Sequence, residues 1–116
     1  MMKSMTHYNK WDIILVPFPF TNLKTTKKRP ALIISPEEYN NKFDVVIAFI
    51  TSKLDLEYRI GDYKIEDWTN ANLPKPSMVR MKFATIDKSI IVKKLGRLAE
   101  KDQYNLKEIL IDFFSK

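Results

Sequence analysis

Apolar residues along this chain gather in short blocks, and only the C-terminal stretch shows a helical period. Ile13 to Val16 is rich in β-branched residues and predicts a strand. Pro17 and Pro19 follow it; proline donates nothing to a ladder, so the strand is expected to end at a sheet edge or a bulge. Ala31 to Ser35 predicts a second strand, Pro36 to Lys42 a turn or short helical segment, and Asp44 to Ser52 a third strand. The third is apolar on both faces from Val45 to Ile50, which places it inside a sheet rather than at its edge. Tyr58 to Ile60 and Tyr63 to Ile65 read as a hairpin around Gly61-Asp62. Trp68 to Pro76 reads as a loop, and Ser77 to Lys82, Ser89 to Val92 and Leu95 to Leu98 as further short strands. Leu106, Ile109, Leu110, Phe113 and Phe114 then fall at i, i+3, i+4, i+7 and i+8, one face of an amphipathic helix over Asp102 to Phe114.

Short strands closed by one terminal helix make a mainly β, α+β fold of small-barrel form, with the helix stripe packed on the sheet. The 116 residues suit one domain, expected over 11–116 behind a flexible arm at 1–10. Only two glycines are present, so tight bends fall to Asn and Asp, which tolerate positive φ.

Composition then removes whole classes of chemistry. With no Cys there are no disulfides, thiolate metal sites or Cys nucleophiles. The one histidine, His7, excludes a zinc site built on several His and any His-pair acid–base mechanism. The adjacent carboxylates Glu37-Glu38 and Glu66-Asp67 lack metal-ligand spacing, and there is no Gly-rich phosphate loop, so no metal or cofactor is expected. No apolar run approaches a membrane span and the N-terminal residues do not resemble a signal peptide, so the expected location is the cytoplasm. A net charge of +6 attracts polyanions, nucleic acid first among them, with an acidic protein partner as the rival explanation.

Three groups of residues can carry chemistry. Lys24, Lys27, Lys28 and Arg29 crowd one loop and its exit, a run that by itself is an ordinary solvated face. Pro30, however, pushes Arg29 into an extended conformation at the entrance to a strand, where its guanidinium can grip a phosphate with two hydrogen bonds. Thr51-Ser52 closes the third strand; alternation puts Thr51 on the face of Val45, Ile47 and Phe49. A hydroxyl there, combined with a fixed arginine from a neighbouring strand, can clamp a developing oxyanion. Phe18, Phe20 and Tyr39 interleave with the basic residues, as aromatics that stack unpaired bases do, although core packing accounts for Phe18 as well.

These residues stand in a familiar arrangement. DIILVPFPFTNLKTTKKRPALIIS (Asp12 to Ser35) and DVVIAFITS (Asp44 to Ser52) resemble the PemK/MazF family of toxin endoribonucleases. So, in the same order, do IEDWTNANLPKPSMVR (Ile65 to Arg80), ATIDKSII (Ala84 to Ile91) and LGRL (Leu95 to Leu98). The resemblance implies an SH3-like barrel with a C-terminal helix, acting as a homodimer. It implies metal-independent cleavage of single-stranded RNA at short motifs, and an antitoxin whose acidic, disordered C-terminal segment holds the toxin inactive. The family's catalytic Arg, in the Arg-Pro that opens strand two, falls on Arg29, and its catalytic Thr, in Ile-Thr-Ser, falls on Thr51. Lys27, Lys28, Ser52, Phe20 and Arg80 are expected to contact the RNA. The sequence departs from the pattern where Trp11 stands before Asp12 and where Asn72 stands, both positions at which members commonly carry Gly, and in Thr25-Thr26 before Lys27. Two other readings stay open: a barrel that binds RNA without cutting it, and a gyrase-directed toxin, since CcdB toxins use the resembling fold.

Overall fold

A computed structural model describes residues 6–18 and 27–116. Six strands form one antiparallel sheet: β1 (Asp12–Pro17), β2 (Lys28–Ile33), β3 (Asp44–Thr51), β4 (Tyr63–Lys64), β5 (Met78–Asp87) and β6 (Lys93–Arg97). Their order is β4-β5-β3-β2-β1-β6, and the sheet curls into a half-barrel closed by a C-terminal helix. A one-turn helix, α1 (Glu37–Asn40), links β2 to β3, and α2 (Glu100–Ser115) ends the fold. Among the described residues, no helix is long and apolar enough to cross a membrane.

Alternation along the strands builds two cores, one on each face of the sheet. Ile13, Leu32, Ala48, Ile50 and Val79 pack on one face with Leu106 of α2; Ile14, Val16, Ala31, Ile33, Val45 and Ile47 pack on the other. β3 feeds both, as its doubly apolar sequence requires. The helical stripe is buried at Leu106 and partly buried at Ile109 and Leu110, while Phe114 is left exposed against Phe83 and Phe113.

The helix is fastened through a buried acid. Asp102, in the first turn of α2, is fully buried and accepts hydrogen bonds from the Tyr63 hydroxyl and from the Glu66 and Asp67 amides. Burial, together with that bond to Asp102, drives the Tyr63 hydroxyl pKa far above its ordinary value. Asp12 does similar work at the other edge, accepting from the Asn9 amide, Lys94 and Arg97. The carbonyls of His7 and Lys10, just ahead of β1, accept from Lys94 and Arg97 as well.

Four sequence expectations need correction. No hairpin forms around Gly61-Asp62: Tyr58 to Ile60 stays outside the sheet, and Tyr63–Lys64 pairs with Val79 and Met78 of β5. The Asp62 side chain explains this, since it turns back to accept the Arg59 amide and the Arg80 guanidinium. Ser89 to Val92 is not a strand; Asp87 accepts the Ser89 amide and starts a 3₁₀ turn over Lys88–Ile90. The strand expected at Ser77 to Lys82 runs on to Asp87. Strand two starts earlier than Ala31, at Lys28, with Pro30 inside it. Pro30 is tolerated because it pairs with Leu15 on the β1 side, while pairing with β3 begins only at Ala31.

Positive φ explains the two glycine departures. Trp11 has φ 78° and Asn72 φ 65°, conformations that favour glycine. Asn72 suits its position, and its amide donates to the Leu95 carbonyl at 2.7 Å. Trp11 is held there by its surroundings: its amide donates to the Ile33 carbonyl, its carbonyl accepts from Leu98, and its ring is buried in the core. Next to Asn72, Gly96 has no room for a side chain, since an added Cβ would lie 2.3 Å from the Ala71 carbonyl oxygen. Gly96→Ala is therefore expected to destabilise the fold by about 2 kcal/mol, the scale of an overpacked site, measured as a lower midpoint in urea denaturation.

Candidate functional site: a cationic cleft

The antiparallel register decides which side chains meet. β1 and β2 pair Val16 with Arg29, so Arg29 projects on the face of Val16, Ala31 and Ile33. β2 and β3 pair Ala31 with Phe49. Carried two residues further, the same register sets Arg29 across from Thr51, on the same face. β5 then brings Arg80 opposite Phe49 from the other side.

The result is an open cleft of about 230 Å³, lined by Phe18, Arg29, Thr51, Lys53, Arg80 and Lys82 among others. Three other surface depressions, of about 270, 420 and 510 Å³, are larger. They carry carboxylates, Asp62 in the first, Glu108 and Asp112 in the second and Glu38 and Asp44 in the third, whereas among the described residues the cleft lining has none. A polyanion is favoured in the cleft by charge and opposed at the carboxylates.

Each side chain in the cleft is poised differently. The Arg29 guanidinium lies 5.4 Å from the centre of the Phe18 ring, a cation–π contact that limits its motion. Its Nε is buried and, among the described residues, has no hydrogen-bond partner. A buried unsatisfied donor costs about 1–3 kcal/mol. The Thr51 hydroxyl accepts the Lys53 amide at 3.1 Å, which fixes the oxygen and leaves its proton available to donate outward. Arg80 is already engaged: Asp62 takes it in a two-pronged pair, at 3.0 Å from Nε and 2.8 Å from Nη2, and the Glu57 carbonyl accepts from Nη2. The Arg80 side chain is 11% exposed and that of Asp62 4%, so the pair is largely shielded from water.

The sequence-predicted residues divide accordingly. Arg29, Thr51 and Arg80 come together in the cleft. Lys28 sits beside Arg29 in the strand and so projects from the opposite face. Lys27 and Ser52 are exposed and lie outside the cleft lining. Tyr39 lies on α1, in the separate depression with Phe43. Phe20 and Lys24 lie outside the described residues. Two cleft cations, Lys53 and Lys82, were not foreseen; Lys82 shows in the sequence only through its i, i+2 spacing from Arg80, which puts both on one face of a strand.

Known proteins share the sequence family and the fold. Residues 9–114 match the family model described as PemK-like, MazF-like toxin of type II toxin–antitoxin system. Among solved structures, the chain is similar to an endoribonuclease in complex with its cognate antitoxin from a mycobacterial species, with TM-score 0.74 and 15% identity over 96% of each chain. It is similar to the Mycobacterium tuberculosis toxin MazF-mt6, with TM-score 0.69 and 21% identity, over 90% of this chain and 96% of that one. It is also similar to MazF from Deinococcus radiodurans, with TM-score 0.72 and 16% identity, over 97% and 100% of the two chains. At such identities these structures establish the half-barrel fold with its terminal helix. No curated protein matches the sequence.

The Asp62–Arg80 pair has a pH signature. The Arg80 guanidinium, which donates to Asp62, holds the Asp62 carboxyl below its ordinary range in the folded protein. A depressed folded pKa contributes stability that is complete above the unfolded value of about 4 and is lost as pH falls through the folded value. Asp62→Asn is therefore expected to be less stable than the wild type at pH 7, with the difference shrinking below about pH 4. Urea denaturation of both proteins at pH 7 and pH 3 reads it.

Proposed function

The chain belongs to the PemK-like, MazF-like toxins of type II toxin–antitoxin systems, and from that premise we propose that it is a metal-independent endoribonuclease cutting single-stranded RNA in the Arg29–Thr51 cleft. The observation that carries this reading is the meeting of the Arg29 guanidinium and the Thr51 hydroxyl in one cationic cleft that, among the described residues, is lined by no carboxylate.

RNA supplies its own nucleophile. The 2′-hydroxyl attacks the adjacent phosphorus in line and gives up its proton to water, negative charge grows on the phosphoryl oxygens, and the 5′-oxygen of the next nucleotide leaves, taking a proton from water. The Arg29 guanidinium and the Thr51 O–H donate to those oxygens as the charge develops, a role in which one donor is worth about 10²–10³ in rate. Arginine keeps its proton at any working pH, so Arg29 acts as an electrostatic clamp and donor rather than a base. Lys53 adds to the field, while Arg80, neutralised by Asp62, shapes the floor of the cleft. The products are a 2′,3′-cyclic phosphate and a 5′-hydroxyl.

The same charge invites control. An antitoxin with an acidic C-terminal segment would occupy the cleft as a mimic of the phosphate backbone; solved relatives include an endoribonuclease bound to its cognate antitoxin and a MazE–MazF complex. The working form is a homodimer in the cytoplasm, where single-stranded mRNA is the substrate.

Arg29→Ala is expected to lower kcat by about 10²–10³ with little change in stability, and Thr51→Ala to lower it in the same direction. EDTA leaves the wild-type rate unchanged. Cleavage of a long single-stranded RNA, followed by analysis of the new ends, reads all three. Arg29→Ala cutting as fast as wild type, or 5′-phosphate ends, would overturn the assignment.

A further inference from the structure

Lys82 is not accounted for by the fold. Between β3 and β5 the register shifts: Ala48 faces Phe83, but Phe49 faces Arg80, so Met81 and Lys82 have no partner on β3. Because two residues are inserted rather than one, the alternation of faces survives. Met81 turns toward the helix-side core and packs on Gly61, where an added Cβ would lie 2.4 Å from Met81 Cγ. Lys82 turns the other way, into the cleft. Irregularities of this kind re-aim side chains beside active sites.

Lys82 arrives in an exposed position over two aromatic rings. Its Nζ lies 5.4 Å from the centre of the Phe49 ring and 5.9 Å from that of Phe18, the ring that also carries the Arg29 guanidinium. Among the described residues no carboxylate pairs with Lys82 or with Arg29. Arg80, in the same cleft, has Asp62 to offset it. Two cations leaning on the one Phe18 ring repel each other, and an anionic ligand removes the repulsion.

The position also fixes which part of the ligand Lys82 meets. Arg29 is on β2 and Lys82 on β5, the two strands flanking β3. Both reach the Phe18 ring, but Lys82 leaves its strand beside Phe49, two residues along β3 from Thr51; that offset, roughly 7 Å along the sheet, sets it beside a phosphate neighbouring the one at the Arg29–Thr51 rung. We infer that Lys82 is a further substrate-contacting residue, gripping the RNA backbone phosphate next to the one held by Arg29 and Thr51. This rests on the nuclease reading above and deepens it. Such a contact is made equally in ground and transition states, so it sets KM rather than kcat.

The test compares wild type, Lys82→Met, Lys82→Arg and, as control, Lys107→Met on the exposed side of α2, using one long single-stranded RNA at its fastest-cut site. Methionine keeps an apolar stem on the Phe18 and Phe49 rings, so a purely packing role predicts no change. The inference predicts a KM raised about tenfold in Lys82→Met, the size of one charge-assisted contact. It predicts an unchanged kcat, and recovery in Lys82→Arg. It also predicts that the slope of log(kcat/KM) against log[KCl] becomes shallower by about 0.7, the counterion release of one single-strand phosphate contact. Wild-type KM and salt slope in Lys82→Met, or an equal loss in Lys107→Met, would overturn it. If the wild type cuts no RNA, the nuclease reading fails by itself. The Lys82 contact is then decided by fluorescence anisotropy of the same RNA, with the same predicted change in salt slope and the same overturning result.

Discussion

The site depends on one register, the pairing of Ala31 with Phe49 between β2 and β3. It sends Arg29 and Thr51 to one face of the sheet and across from each other, and a slip of one residue would send one of them into the opposite core. That register is itself held by burial: Ala31, Ile33, Val45 and Ile47 fill one core while Leu32, Ala48 and Ile50 fill the other, so a slipped strand would expose apolar side chains on both faces. The chemistry at the rim is thus positioned by the same apolar contacts that hold the fold together.

The cleft concentrates positive charge, and the structure relieves only part of it. Asp62 neutralises Arg80 and keeps it as a rigid wall. Among the described residues, Arg29, Lys53 and Lys82 have no carboxylate to offset them. Phe18 and Phe49 support Arg29 and Lys82 through their ring faces without cancelling their charge. A structural pair beside uncompensated cations is the division expected of a site for a polyanion. What holds the site's strands lies away from the cleft, in the two apolar cores and in the hydrogen bonds of Asp102 that tie α2 to the segment carrying Tyr63.

Much of this was legible in the sequence, and the misses have physical causes. Arg29-Pro30 announced a fixed arginine because proline restricts its neighbour, and Thr51 followed from simple alternation along an apolar strand. The α2 stripe was visible from its period, since Leu106, Ile109 and Leu110 do pack on the sheet. The hairpin around Gly61-Asp62 misled because the Asp62 side chain serves Arg80, a partner eighteen residues away that no local pattern reveals. Asp87 likewise turned an apparent strand into a 3₁₀ turn through one side-chain bond. Lys82 escaped notice because its place depends on a shift in pairing between β3 and β5, a property of two strands together. Trp11 and Asn72 went the other way: as departures from glycine they marked in advance two positions where the chain takes positive φ.

The most direct measurement is a structure of the protein with a 2′-O-methyl version of an RNA strand that it cuts, in which the blocked nucleophile leaves the scissile linkage whole. The account predicts the scissile phosphate seated between residues 29 and 51, one of its oxygens accepting from the Arg29 guanidinium and another from the Thr51 hydroxyl. A strand bound elsewhere on the sheet, out of reach of both side chains, would contradict it.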